Sequence, residues 1–445
     1  GKPANGRLAD MKRMLTWAAA VLAAAGGGLA VFGWLASRDA APSDESEFAA
    51  ERPEVAPEAN AFTYFLEATN LLVETTNAQL VADFLAGKAA DGAELRELVE
   101  RNAACLARVR RGTECAICWM PTTLSFDTEF PYLTAWLKIG KLLAVQSRLA
   151  RLAGRPEEAA TAALTEARMG NLVLNHAESM LHFLVGGSLV SQGLEALLEL
   201  PATADRAAAL EGLGPFDAGL ARALAAEGRY AEHVVGQLAD GQIDVLDLVA
   251  FGNAERNWRM RLLGGILRSS YFFKPHAAQR ELRDVFRRMI RSVSLTYAQI
   301  DPNLGRVFGR GWTEWIRPNV VGRLLRIMLI PPAGITLERK CRYESLLAGA
   351  KLATACHRYA QENGRLPETL QALVPEYLAA VPRDPYDGEP FRYSAEKGLV
   401  WSVGKNLTDE GGSTRVPGSE QECVASRDRP KAEDFVFDLR PAAKE

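Results

Sequence analysis

The chain has 445 residues, enough for two or three domains, and its 48% hydrophobic and 24% charged residues exclude wholesale disorder. A formal net charge of −3 hides an uneven distribution: 15 Lys/Arg face 5 Asp/Glu between Glu255 and Arg326, leaving 37 basic and 50 acidic residues elsewhere. Such a block can bind an anionic partner or neutralise the acidic remainder, and without interleaved aromatics or a known module it does not point to nucleic acid.

In chain order, the first signal is the uncharged run Met14–Leu35, 22 residues with Trp17 and Trp34 near its ends. As a helix it reaches about 33 Å, enough for a bilayer core of about 30 Å, with its aromatic rings at the interfaces. Lys12 and Arg13 precede it, whereas Asp39, Asp44, Glu45 and Glu47 follow Arg38. That asymmetry predicts a single-pass helix over 14–36 in the cytoplasmic (inner) membrane. Residues 1–13 then stay in the cytoplasm and the bulk of the chain is extracytoplasmic or periplasmic. A cleaved signal peptide is the competing expectation, but no convincing small-x-small site follows Leu35.

Residues 37–59 carry Pro42, Pro53 and Pro57 with seven acidic and two basic side chains, the composition of a solvated tether. From 60 to 337 a helical period predominates, in segments near 61–85, 93–111, 134–153, 157–175, 177–199 and 204–226. Lys141–Gly170 predicts a helical hairpin. Its turn is Gly154-Arg155, with Pro156 at the first helical position and Glu157 and Glu158 at the positive end of the helix dipole. It weakly resembles a tetratricopeptide unit, but no 34-residue repeat accompanies it. Arg283, Arg287 and Arg291, four apart, predict one exposed stripe on a helix whose other face offers Val285, Phe286, Met289 and Val293. The apolar run Val320–Thr336 is interrupted by Arg323, Arg326, Pro331 and Pro332, so a second membrane span is not expected there.

The six cysteines allow 15 pairings. Cys341 and Cys356 lie about 22 Å apart on one predicted helix, too far for a bond. Cys115-Ala116-Ile117-Cys118 has no second CxxC or close histidine pair for zinc and no thioredoxin-like context, so buried thiols or a structural disulfide are expected. His176 and His182, six apart on one helix, would face different directions, and Glu178 with His182 reads as a local surface pair. No nucleophile elbow, P-loop, HExxH or dinucleotide fingerprint is present.

The last segment, 338–440, changes pattern. A helical stripe of Leu346, Leu347, Ala350, Ala353, Cys356 and Ala360 should stop at Asn363-Gly364. Pro367 opens a short helix with Leu370 and Leu373. Phe391–Ser394, Leu399–Val403 and Asp434–Asp438 read as strands. The run Leu366-Pro367, Leu373-Val374-Pro375, Tyr377-Leu378, Val381-Pro382, Asp384-Pro385, Gly388, Pro390, Tyr393, Ser402-Val403-Gly404 and Gly411-Gly412 resembles the globular part of the type II secretion major pseudopilin over about 100 residues. The resemblance implies a long helix with a three-stranded antiparallel sheet, and a calcium ion held in the loop before the last strand. In this chain Asn406, Asp409, Glu410 and Asp434 would supply its oxygens. Asn406 stands where that family usually has Asp, which should weaken affinity. Gly334-Ile335-Thr336-Leu337-Glu338 echoes the family's processing motif, but Arg339, Lys340 and Arg342 follow it instead of an apolar helix. A regular filament subunit is therefore not implied.

The expectation is thus a mainly α protein: N-terminal transmembrane helix, helix-rich extracytoplasmic domain (60–337) and small C-terminal α+β pseudopilin-like domain. Its expected role is a membrane-anchored scaffold or interaction protein of the envelope, with protein partners there and a possible anionic partner at 255–326. The alternatives are an exported enzyme with its site in the helical domain, or a peptide-binding helical module.

Overall fold

The structure, a computed structural model, describes residues 17, 27, 37–42, 48, 54–75, 77–88, 92–122, 130–244, 258–305, 317–413 and 434–440, with side chains omitted at 258–261 and 263. Within them the chain is mainly helical with one three-stranded antiparallel sheet. Of the expected membrane span over 14–36, only Trp17 and Gly27 are described, both helical; the rest lies outside the described residues.

The chain divides into two compact units. The larger contains 48–230, 286–305 and 331–445. It starts with α1 (Ala61–Leu71), α2 (Ala78–Leu85), α3 (Ala93–Arg101), α4 (Ala103–Gly112), α5 (Pro131–Leu152), α6 (Pro156–Asn175) and α7 (Met180–Leu198). Asn60 caps α1 by accepting from Phe62 N, and its amide exchanges hydrogen bonds with the Trp119 backbone, which ties the 115–119 segment to the α1 start. Phe65, Leu106, Trp136, Ile139 and Leu143 form the fully buried centre, with the Phe65 and Trp136 rings edge to face at 5.9 Å. The expected hairpin is α5–α6: Gly154 turns the chain at φ +68° and Pro156 opens α6. Helices α6 and α7 touch backbone to backbone, since a Cβ on Gly170 would meet Gly186 O at 2.5 Å.

Further along the same unit come α8 (Ala204–Glu211) and most of α9 (Asp217–Ala239), then the 31-residue α13 (Ala333–Asn363). Helix α13 begins at Ala333, so the Gly334–Glu338 motif lies inside it, and it ends at Gly364 in the left-handed region, as the sequence predicts. Strands β1 (Arg392–Ser394), β2 (Leu399–Ser402) and β3 (Phe435–Asp438) pair antiparallel in the order β1-β2-β3, with Val400 opposite both Tyr393 and Phe437. The sheet rests on α13, and Gly349 leaves room on the helix for the Phe437 ring.

The smaller unit contains the end of α9, α10 (Trp258–Leu267), most of α11 (Pro275–Arg291) and α12 (Val320–Leu329). Asp39 closes the start of α11, accepting from His276 N and Ala277 N. Several of the described cations of the basic block are paired here. Arg326 pairs with Glu281 at 2.9 Å, Arg268 donates to Leu238 O and Lys274 Nζ to Arg38 O. The expected exposed stripe is corrected: Arg283 is buried, with Nε 2.7 Å from the equally buried Glu232, while Arg287 is half-buried and Arg291 exposed. A periodic row of arginines cannot reveal a carboxylate about 50 residues away that draws one of them inward.

Among the described residues two stretches are long and apolar enough to cross a membrane, α7 and Val320–Asn363, and half of each apolar window is buried within the protein. The second is interrupted, because α12 ends at Leu329 and α13 starts at Ala333 across Pro331-Pro332.

Candidate functional site

The C-terminal site is organised by Asp384. Pro382 and Pro385 restrict the backbone on either side, and the fully buried carboxylate accepts from Tyr386 N, Val403 N and Ser402 Oγ at 2.9 Å each. Arg392 of β1 approaches it at 3.3 Å and also engages Asp387. One carboxylate therefore joins the proline-punctuated loop, β1 and the end of β2, and sets the direction in which the chain leaves β2 for the 403–413 loop. Tyr386 packs below with Cys341, Val403 and Tyr297.

In that loop Leu407 has φ +58°, and Gly404, Gly411 and Gly412 are also left-handed. The fold brings Glu410 against Asp434: Asp434 Oδ2 accepts from Gly412 N at 2.8 Å, while Asp434 Oδ1 and Glu410 Oε2 are buried without a hydrogen-bond partner among the described residues. Burial, together with the Glu410 carboxylate, pushes the Asp434 carboxyl up to about 6. Asn406 is adjacent, donating its amide to Glu410 Oε1 while its carbonyl accepts from Thr408 N. Asp409 is turned elsewhere. It accepts from Trp401 Nε1 and Gly411 N and lies 3.9 Å from Arg392. Partial burial pulls the other way, but those donors hold Asp409 below the ordinary carboxylate value. Of the four expected ligands, then, two carboxyl groups converge, one amide donates to Glu410, and one carboxylate is committed to the sheet. Two carboxyl groups side by side can share a proton between them or take a hard cation, which would use oxygen ligands and offset their repulsion. Among the described residues no group of three or more His, Cys, Asp or Glu side chains forms a metal cluster.

The helical part of the larger unit holds polar groups that sequence spacing missed. His182 is not at the surface beside Glu178. It is fully buried, between Tyr132 OH (2.8 Å, Nε2) and Ser179 Oγ (3.0 Å, Nδ1), and burial pushes it down to about 4. His176 and Glu178 lie in the α6–α7 connection, and Glu178 is 3.4 Å from Arg229. Lys340 is buried on α13, bonded to Val293 O, Asp217 and Glu344. Burial alone would lower it, but the two carboxylates hold it above its usual value. Glu166 of α6 is fully buried with neither oxygen bonded, and burial with nearby Glu195 raises it well above the carboxylate range.

Cys105, Cys115, Cys118, Cys341 and Cys356 are free thiols, so the pairing of Cys341 with Cys356 that helix geometry forbids does not occur. Burial raises both Cys115 and Cys118, which opposes thiolate reactivity at the CxxC. No family model, curated protein or solved structure matches the chain.

Proposed function

We propose that this protein is a membrane-anchored, extracytoplasmic scaffold whose C-terminal module is of the pseudopilin type and is stiffened by a calcium ion. The supporting observation is the Glu410–Asp434 pair, a half-buried and a buried carboxyl that each hold one buried oxygen with no donor among the described residues, at the mouth of a glycine-bent loop. Asn406 and backbone carbonyls of the loop would complete an oxygen shell, and Asp409, held by Trp401 and Arg392, would support it from outside. The ion would tie β3 to the loop after β2, fixing one surface for an envelope partner. The membrane contact is residues 14–36, and an association with a secretion or pilus-like apparatus follows from the resemblance of 338–440.

Calorimetric titration of the detergent-solubilised chain with calcium tests the ion: saturable heat with a raised melting temperature supports it, and neither at millimolar calcium rejects it. Crosslinking in the native cell tests the scaffold role, which predicts recovery of envelope proteins through the C-terminal module. Recovery only of small-molecule turnover activity, with no protein partner, would favour the enzyme alternative.

A further inference from the structure

In the smaller unit, the chain that follows the apolar run Met14–Leu35 is bound to the first turns of α11. Asp39 accepts from His276 N at 2.9 Å and Ala277 N at 3.0 Å, Lys274 Nζ donates to Arg38 O at 2.8 Å, and Arg280 donates to Ala41 O at 3.3 Å. Leu35 lies only four residues before Asp39. Four extended residues reach about 13 Å, and a helix with its side chains is about 10–12 Å across. The start of α11 therefore lies no more than about one helix diameter from the end of the apolar run.

Helix α10 is held at the same place. Beyond Leu267 the chain turns compactly, with Phe272 N and Phe273 N both donating to Ser269 O at 2.9 Å. The start of α12 then clamps this turn: Asn319 N donates to Tyr271 O at 2.8 Å, Val321 N to Phe272 O at 3.0 Å, and Lys274 N to Asn319 Oδ1 at 3.0 Å. On α10, Leu262 is 59% and Ile266 46% exposed, and Gly265 is exposed between them. Their three- and four-residue spacing makes one stripe. From Trp258 to Arg280 the sequence carries five Lys/Arg and no Asp/Glu. An exposed apolar stripe in an all-basic stretch matches the headgroup layer of an anionic bilayer, where apolar side chains reach the acyl boundary and cations meet phosphate. Two apolar side chains bind lipid weakly by themselves. The four-residue connection makes the contact intramolecular, and its effective concentration is correspondingly high.

We infer that α10 lies in the headgroup layer of the bilayer that holds residues 14–36, with Leu262 and Ile266 at the acyl boundary and acidic phospholipid gathered by the cations of 258–280. The inference rests on the membrane-anchor reading and is independent of the calcium ion.

Hydrogen exchange of the full chain, read by mass spectrometry, tests it in nanodiscs of phosphatidylcholine alone and of roughly equal parts phosphatidylcholine and phosphatidylglycerol. Amides of 258–270 should exchange about fivefold or more slowly in the anionic discs, while those of 156–175 on α6 exchange alike in both. Sodium chloride at about 0.5 M should remove most of the difference. The double variant Leu262→Gln, Ile266→Gln, altered only at exposed positions, should enter discs normally and lose the protection. Equal exchange in the two disc types, with the chain incorporated, overturns the inference and leaves the anchor intact; protection that survives in the variant overturns it as well. Failure of the chain to enter discs at all removes the anchor reading and the inference with it. Protection seen only in discs loaded with two copies would assign the stripe to a second copy of the chain and overturn the choice of lipid.

Discussion

Asp434→Asn separates the proton, the cation and the fold at the loop site. In the unaltered protein Asp434 titrates near 6, against about 3.9 for an unfolded chain. The folded-state value is the higher, so its contribution to stability is full below about pH 4 and is lost as pH rises through about 6. Two units correspond to about 2.7 kcal/mol, which solvent screening near the loop reduces to the order of 1–2 kcal/mol. At pH 7.5 without calcium, removing one of two adjacent carboxylates should therefore stabilise the protein by about that amount. With calcium at a hundred times its dissociation constant, the unaltered protein gains about 2.7 kcal/mol by mass action, and Asp434→Asn should gain almost none. Urea denaturation followed by tryptophan fluorescence, with Trp401 beside Asp409 as the local reporter, measures all four states. Calcium binding should also weaken as pH falls through about 6, because protons compete for the same oxygen pair. If the metal-free variant is less stable than the parent at pH 7.5, the two carboxylates do not repel and the reasoning is wrong.

Three further outcomes follow from buried groups. Glu166→Met should stabilise the protein by about 1–3 kcal/mol at neutral pH, with the gain growing as pH rises, because an unbonded acid leaves the core; an unchanged urea midpoint would show that Glu166 has a partner. Gly349→Ala should cost about 1–3 kcal/mol by driving a methyl into the Phe437 ring, read as faster proteolysis of the C-terminal module; unaltered proteolysis would contradict the packing of the sheet on α13. His182 has a folded-state value near 4, below the unfolded one near 6.5, so its contribution is present above pH 6.5 and lost as pH falls towards 4. A stability profile for His182→Asn that parallels the parent across pH 4–6.5 would refute a neutral, buried imidazole.

The sequence was most legible where local chemistry decides the structure. Gly364 ended α13 because only a left-handed residue closes that helix, and alternation in 434–438 marked β3 because one face of the strand packs on α13. The α5–α6 hairpin followed from Gly154 and Pro156 for the same local reason. What spacing could not show were pairings between distant segments. Arg283 is drawn inward by Glu232, His182 by Tyr132, and Asp434 meets Glu410 only because β3 pairs with β2. At the loop site, donor type suggested four ligands, whereas the fold gives Asp409 to Trp401 and Arg392. Only the presence of an indole N–H in the neighbouring strand could have hinted at that diversion.

The most direct measurement is the sidedness of the C-terminal module. Alkaline phosphatase joined after Leu439 folds only in an oxidising compartment, so on this account the fusion is active in cells and cofractionates with membranes. An inactive phosphatase, paired with a fluorescent cytosolic reporter at the same junction, would leave the module on the cytoplasmic face and remove the basis for an envelope scaffold.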